Sequence, residues 1–278
     1  MYGITVELNQ KFITLQRILR GYKKVAIAFS GGVDSTLLVA VANLTEDVEV
    51  VAITIWGQIH AQDEIDEART LCQSLGVKHR VIEMDVLHLE AFVKHPEDRC
   101  YGCKRAVFSK IKEVASLEGD FVVVDGSNVD DLLDYRPGLR ALVELNVHSP
   151  LKESNLTKQE IRELSAVLKL PTAKKAAFAC LATRLPFYEP VTNEALRRIE
   201  ASEGYLARLG FTQYRVRTHG DLARIELLKD EWVHILSETV MAEIDTAFKG
   251  FGFRYVALDL SGYKMGNMNG NMTIESGV

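Results

Sequence analysis

Apolar residues at helical spacing (Phe12, Leu15, Ile18 and Leu19) predict an amphipathic helix over residues 7–21. Val25–Phe29 then forms a continuous apolar run of strand length. Polar, glycine-containing Ser30–Ser35 separates it from a second helical stretch at Thr36–Asn43. The alternation continues with a strand at Val48–Ile55, a helix at Ala61–Leu75 ended by Gly76, and a strand at Lys78–Met84. A helix at Lys104–Leu117 and a fourth strand at Phe121–Val124 complete it. Strands and helices alternate, and the buried strands show no polar alternation, which predicts a parallel sheet covered by helices on both faces: an α/β fold. In such sheets ligands sit outside the carboxyl ends of the strands.

The pattern changes after Pro186. Asn193–Leu209 reads as a helix ended by Gly210, and Thr212–Thr218 and Leu222–Leu228 alternate like half-exposed strands. Asp230–Phe248 is again helical and Phe253–Leu260 strand-like, giving an α-β-β-α-β unit of antiparallel character. The expected organisation is a main domain over 1–187, a smaller α+β domain over 188–265, and a Gly-, Asn- and Met-rich tail over 266–278.

The 278 residues are 47% hydrophobic and 26% charged, the profile of a globular chain with a sizeable core. Lys+Arg 33 against Asp+Glu 38 leaves a net charge of −5, which argues against a nucleic-acid partner. No apolar run approaches the ~18 residues that span a bilayer, and the N-terminus lacks a signal-peptide core, so a cytoplasmic protein with no membrane partner is expected. In a reducing compartment the four cysteines need an account other than structural disulfides.

Three groups of residues carry chemistry. Ser30-Gly31-Gly32-Val33-Asp34-Ser35 joins the first buried strand to a helix. Its glycines let backbone N–H groups converge where the helix N-terminus adds positive potential, Ser30 and Ser35 add hydroxyl donors, and Asp34 can hold a metal or orient a donor. The string lacks the lysine of a G-x-x-x-x-G-K-[ST] P-loop, which disfavours simple γ-phosphate transfer. Asp125-Gly126-Ser127-Asn128-Val129-Asp130-Asp131 follows the fourth strand, with Tyr135-Arg136-Pro137-Gly138 just after. There Gly126 permits close approach to a ligand, Asp130 or Asp131 can bind Mg²⁺, and Arg136 can pair with phosphate or carboxylate.

The cysteines form the third group. Cys72 lies on an apolar helical stripe with Ala68, Leu71 and Leu75 and reads as a core thiol. Cys100 and Cys103 form a C-x-x-C in a loop before a helix, and Cys180 stands near Lys174, Lys175 and Arg184, cations that favour a thiolate. Spacing alone leaves an iron–sulfur cluster, zinc and a redox dithiol as equal options. In the second domain Arg215 and Arg217 share one face of a strand, as do Arg224 and Glu226. Periodicity alone reads this as a solvated face with surface ion pairs.

The Ser30–Ser35 string resembles the SGGxDS PP-loop of the ATP pyrophosphatase superfamily, whose members cleave ATP between the α- and β-phosphates and adenylate an oxygen of their substrate. DGSNVDD with YRPG, the ACLATR string around Cys180, and RVRxHxDxARIEL continued by Gly252–Leu260, Gly266, Met268 and Asn269 resemble the LarE branch of that superfamily, from about residue 15 to 270. Departures are small: Thr183 stands where Ser is common, and Leu185 replaces an aromatic residue. The resemblance implies an ATP-dependent sulfur transferase that converts a pyridinium carboxylate nucleotide to a thiocarboxylate during assembly of the nickel-pincer cofactor of lactate racemase.

It further implies ATP and Mg²⁺ at Ser30, Gly31, Gly32, Asp34, Ser35, Gly126, Asp130 and Arg136, with adenine near the end of the Val48–Ile55 strand. Catalytic roles fall to Cys180, Asp34 and Arg184, and an anionic nucleotide or a subunit interface to Arg215 and Arg217. Some LarE proteins sacrifice the sulfur of the Cys180 counterpart and are left with dehydroalanine. Others hold a [4Fe-4S] cluster on three cysteines, and this chain has that form, at Cys100, Cys103 and Cys180. Family members assemble into hexamers, so a homo-oligomer is expected. The alternatives are a PP-loop tRNA thiolase, disfavoured by charge and by the absence of a zinc-ribbon cysteine set, and a non-catalytic ATP-binding regulator.

Overall fold

The computed structural model describes residues 4–133, 137–176 and 179–264. In chain order the elements are α1 (Val6–Tyr22), β1 (Lys24–Ala28), α2 (Val33–Leu44), β2 (Glu49–Trp56), α3 (Gln62–Ser74), β3 (Lys78–Glu83), α4 (Glu90–Val93), α5 (Arg99–Gly119) and β4 (Val122–Val124). They continue with α6 (Gly138–Glu144), α7 (Pro150–Glu153), α8 (Lys158–Val167), α9 (Asn193–Arg208), β5 (Tyr214–His219), β6 (Leu222–Leu227), α10 (Trp232–Ile235), α11 (Glu238–Gly250) and β7 (Tyr255–Leu258). The chain divides into two compact units, residues 1–86 with 98–178, and residues 87–97 with 179–278.

In the first unit the described strands form a four-stranded parallel sheet in the order β3-β2-β1-β4. Val25 and Ile27 of β1 face a core built with Leu8, Leu15 and Leu19 of α1, Leu37 and Val41 of α2, and Ile161 and Leu164 of α8. Ala26, Val51 and Ile53 face the other side, against Phe108, Ile111 and Ala115 of α5 and Leu142 of α6. Burial on both faces is why β1 and β2 carry no polar alternation, whereas the edge strand β3 is partly exposed and keeps Lys78, Arg80 and Glu83. The chain runs from β1 through α2 to β2 on one side, whereas β4 lies on the other side of β1. The carboxyl ends of β1 and β4 therefore flank a topological switch point. Cys72 is 1% exposed in the first core, and burial pushes its thiol pKa up to about 12, so it is a packing residue.

In the second unit the sheet order is β5-β6-β7. A tight turn at Gly220 (φ 57°) joins antiparallel β5 and β6, but β7 returns through α10 and α11 and pairs with β6 in parallel. The antiparallel character expected there holds for one of the two pairings. Its core gathers Leu206, Val216, Ile225, Leu227, Ile244, Phe248 and Phe253.

The unit boundary differs from the expected break at residue 187. Residues 87–97 and 179–187 both belong with the second unit. Hydrogen bonds explain this: Tyr188 N donates to His95 O (2.9 Å), Val191 N to Val93 O (2.9 Å), and His95 Nδ1 lies 2.7 Å from Pro186 O. His95 is fully buried by these contacts. The proposed tail falls outside the described residues.

Candidate functional site

The PP-loop string lies at the carboxyl end of β1. Gly31 has φ +69°, a left-handed conformation that favours glycine, whereas Gly32 (φ −79°) occupies the N-cap of α2 with ordinary backbone. The loop is braced internally. Ser30 N donates to Ser35 Oγ (3.3 Å), the two hydroxyls lie 3.2 Å apart, Gly32 N donates to Ser30 Oγ (3.4 Å), and Ser35 Oγ donates to Gly32 O (3.3 Å). Donors that bond weakly to one another in this way can be exchanged for phosphate oxygens at a helix N-terminus.

The segment after β4 closes on the same point. A Cβ at Gly126 would stand 3.1 Å from Ser35 N and 3.3 Å from Asp34 Cβ, so glycine here lets β4 abut the start of α2. The close approach foreseen at Gly126 is thus to the PP-loop helix. Asn128 Nδ2 donates to Asp34 Oδ1 (3.2 Å), Asn128 N donates to Asp131 Oδ2 (2.9 Å), and Asp130 N donates to Asn128 Oδ1 (3.0 Å). Asp125 is buried and accepts the hydroxyls of Ser127 and Ser149. Asp131 is spent on this turn, while the Asp130 carboxylate accepts Lys158 N (2.7 Å) and Lys158 Nζ forms an ion pair with Asp34. Ser30, Gly31, Gly32, Asp34, Ser35, Gly126 and Asp130 are therefore gathered at one sheet edge. Arg136 lies outside the described residues.

Cys100 and Cys103 occupy the first turns of α5, which begins at Arg99 and not at 104, so they sit inside the helix and not in a loop before it. Arg99 in the first turn is buried (6% exposed), and Tyr101 is tied down by a bond from its hydroxyl to Glu144 (2.6 Å) and a stack under Arg140 (3.8 Å). Three residues apart on a helix, the two half-buried thiols share a face. Cys180 is also half-buried but belongs to the second unit. Among the described residues no group of three or more His, Cys, Asp or Glu is gathered as a metal site.

Cys180 caps a short 3-10 turn, Leu181–Arg184. Thr183 N (3.0 Å) and Oγ1 (2.8 Å) both donate to Cys180 O. Arg184 is 1% exposed: Nη1 donates to Ala179 O (2.7 Å), Cys180 O (3.2 Å) and Thr183 Oγ1 (2.8 Å), while Nε and Nη2 grip Glu203 of α9 at 2.9 Å each. Glu203 Oε1 also accepts Val216 N (2.9 Å), between Arg215 and Arg217. Arg217 Nη1 donates to Thr183 O (2.9 Å) and Nη2 to Glu226 (2.9 Å), Arg224 reaches Glu226 (3.4 Å) and pairs with Asp259, and Arg215 donates to its own strand at Tyr214 O (2.6 Å).

Arg215 and Arg217 are each 5% exposed, which corrects the solvated-face reading. The strand alternates as expected, but the Cys180 turn and α9 cover that face. Burial first, and then the neighbouring Arg184 charge, pulls Arg215 below the usual guanidinium pKa.

Glu203 was not singled out by the sequence reading, though it sits at helical spacing on the buried stripe Leu196, Ile199, Ser202 and Leu206, where a carboxylate needs a partner. Removing that carboxylate with Glu203→Ala leaves Arg184 buried and uncompensated. It should lower stability by about 3–5 kcal/mol in a denaturant titration; a change below about 1 kcal/mol would show the pair to be dispensable.

Comparison with known proteins agrees with this geometry. Residues 14–99 match the asparagine synthase family. An uncharacterized protein of Synechocystis sp. is 38% identical over 266 residues, covering 96% of this chain and 99% of that one. The pyridinium-3,5-bisthiocarboxylic acid mononucleotide synthase of Lactiplantibacillus plantarum is 33% identical over 267 residues, 96% of each chain. A tRNA-specific 2-thiouridylase of Trichormus variabilis is 37% identical over only 67 residues, 22% of this chain and 18% of that protein. None of the described helices is long and apolar enough to cross a membrane. With its PP-loop at the switch point of a parallel sheet and its full-length likeness to the synthase, the chain is an ATP-dependent enzyme and belongs to the LarE family.

Proposed function

We propose that this enzyme is a sulfur transferase that adenylates a carboxylate of pyridinium-3,5-biscarboxylic acid mononucleotide and converts it to a thiocarboxylate. The observation that carries the reading is the 33% identity over 96% of both chains to the named synthase. Ser30, Gly31, Gly32 and Ser35 would cradle the phosphates, Asp34 and Asp130 would hold Mg²⁺, Arg136 would pair with an anionic group, and adenine would lie beyond β2. A substrate carboxylate oxygen attacks the α-phosphorus, the bond to the bridging oxygen breaks, and pyrophosphate leaves. The acyl adenylate then loses AMP to a sulfur nucleophile. Adenylation supplies the leaving group that a free carboxylate lacks.

For the sulfur we propose Cys100, Cys103 and Cys180 as ligands of one [4Fe-4S] cluster. What supports this is the chemistry of the donors and the family resemblance: three thiols, two of them on one helical face. Bound there, such a cluster would present an open iron able to carry sulfide. Cys180 is held by the Arg184–Glu203 pair, which fixes the carbonyl side of its turn and leaves Arg184 as a positioning residue. Arg215 and Arg217 would draw the nucleotide phosphate through their guanidinium groups. Assembly as a homo-oligomer, hexameric by family resemblance, belongs to the same proposal.

The test is anaerobic incubation of the reconstituted enzyme with ATP, Mg²⁺, sulfide and the dicarboxylate nucleotide. Pyrophosphate and AMP should appear only with that nucleotide, together with a product in which sulfur replaces oxygen. Turnover that requires tRNA would overturn the assignment in favour of a thiolase, and ATP binding without pyrophosphate release would leave only a nucleotide sensor.

A further inference from the structure

We propose that Thr54 and His79 are positioning residues for the PP-loop. A hydrogen-bond relay from His79 through Thr54 to the Phe29 carbonyl sets the direction in which the chain leaves β1 and enters the Ser30–Ser35 turn. The proposal rests on the reading of that loop as the ATP site. Phe29 is the last residue before the turn and is buried. Its N–H still follows the sheet and donates to Ile53 O of β2 (2.9 Å), but its carbonyl accepts the Thr54 hydroxyl (2.8 Å). A side chain thus fixes the carbonyl at the point where strand gives way to loop.

The protons decide the direction of the relay. A hydroxyl carries one hydrogen, and Thr54 gives it to Phe29 O; the other assignment would set two lone-pair oxygens face to face at 2.8 Å. His79 Nε2, 2.8 Å from the same hydroxyl oxygen, must then be the donor, which assigns the Nε2–H tautomer. The register of β2 and β3 explains the reach. His79 stands opposite Ala52, on the face that Ala52 shares with Thr54, and the small alanine leaves the ring room to meet its diagonal neighbour. The ring also meets Phe29 edge-on, with centroids 5.9 Å apart and planes at 90°. Burial first, and then the Arg69 charge from α3, push the His79 pKa below the usual histidine value. Protonation would add a hydrogen at Nδ1 and keep the donor at Nε2, so the relay itself does not titrate. On its far side the loop rests against α3, where a Cβ at Gly31 would stand 3.6 Å from Ala68 Cβ. Bound ATP can follow a slightly displaced loop, whereas the transition state needs the loop donors where charge develops.

The test measures ATP-dependent pyrophosphate release, with the dicarboxylate nucleotide, by full-length Thr54→Val, Thr54→Ser, His79→Leu and His79→Gln enzymes. Thr54→Val keeps the shape and loses the hydroxyl, and His79→Leu loses the ring donor. In both, kcat should fall by about 10- to 100-fold while the KM for ATP moves by less than about 3-fold. The serine and glutamine variants return a hydroxyl and an N–H, and should recover kcat to within about 5-fold of wild type. A valine variant with wild-type kcat, a loss confined to KM, or a serine variant no faster than the valine one would each overturn the proposal. Nitrogen NMR of the histidine-labelled wild-type enzyme needs no turnover and no substitution. His79 should appear as the neutral Nε2–H tautomer at neutral pH, and an Nδ1–H tautomer would overturn the relay even if a variant fails to fold. Wild-type enzyme that shows the Nε2–H tautomer but releases no pyrophosphate would instead overturn the underlying ATP reading.

Discussion

Asp34→Ala is expected to slow pyrophosphate release by about 100- to 1,000-fold, the loss seen when one preorganised electrostatic group is taken from a reacting centre. The carboxylate stands in the first turn of α2, beside the PP-loop donors, where Asn128 and Lys158 hold it. Lys158 is partly exposed but Asn128 is buried, so the alanine variant should cost stability about 1–3 kcal/mol, chiefly from the Asn128 amide left without its acceptor. The two scales separate a functional from a structural role. Asp34→Asn keeps the shape and can still meet Asn128, but it removes the charge. If the charge is what serves the reaction, the asparagine variant should be as slow as the alanine one at saturating Mg²⁺. A rate within a few-fold of wild type in either variant would remove Asp34 from the reacting centre, and a stopped-time pyrophosphate assay beside a thermal melt reads both quantities.

The sheet of the first unit is legible because β1 and β2 are buried on both faces and so declare themselves as apolar runs. The region between residues 138 and 176 is much less so. α6 and α7 are too short to show a period, although the Thr157…Glu160 box ahead of α8 is a readable start signal. Two boundaries mislead for identifiable reasons. The opening of α5 contains Gly102 and charged residues and looks like a loop, yet Arg99 is buried there and Tyr101 is held by Glu144 and Arg140. The single helix expected over 230–248 is two, because Ser237 ends one stretch and caps the next by accepting Val240 N (3.3 Å).

The site divides along the same line between local and distant information. The loop that turns at Gly31 can be read from six residues, because its donors are sequence neighbours. Lys158 cannot, since only the packing of α8 on α2 brings it there. Strand alternation correctly places Arg215 and Arg217 on one face, but alternation says nothing about what covers that face. The cover is Thr183, from the Cys180 turn, and Glu203, from α9. Charged residues at inward positions of both strand and helix were the available signal: a buried arginine needs a carboxylate, and Glu203 is the carboxylate on the buried stripe of the preceding helix.

The largest effect is expected at the cysteines, and its pattern discriminates between two chemistries. If Cys100, Cys103 and Cys180 ligate one cluster, Cys→Ala at any of them should abolish repeated sulfur transfer and the broad visible absorbance together, because a two-thiolate site no longer retains the iron. If Cys180 instead surrenders its own sulfur, Cys180→Ala alone should be inactive. Cys100→Ala and Cys103→Ala would still complete one turnover, and the used enzyme would carry dehydroalanine at position 180. Cys72→Ala is the internal control. Its thiol is buried and held protonated at neutral pH, so it should resist alkylation in the folded enzyme. Its loss should cost about 1–2 kcal/mol of stability and no activity. Asp34→Ala must leave the absorbance intact, since Asp34 serves the ATP step. Mass spectrometry of residue 180 after a single turnover decides the matter: an intact cysteine supports the cluster, and a residue lighter by one H₂S refutes it.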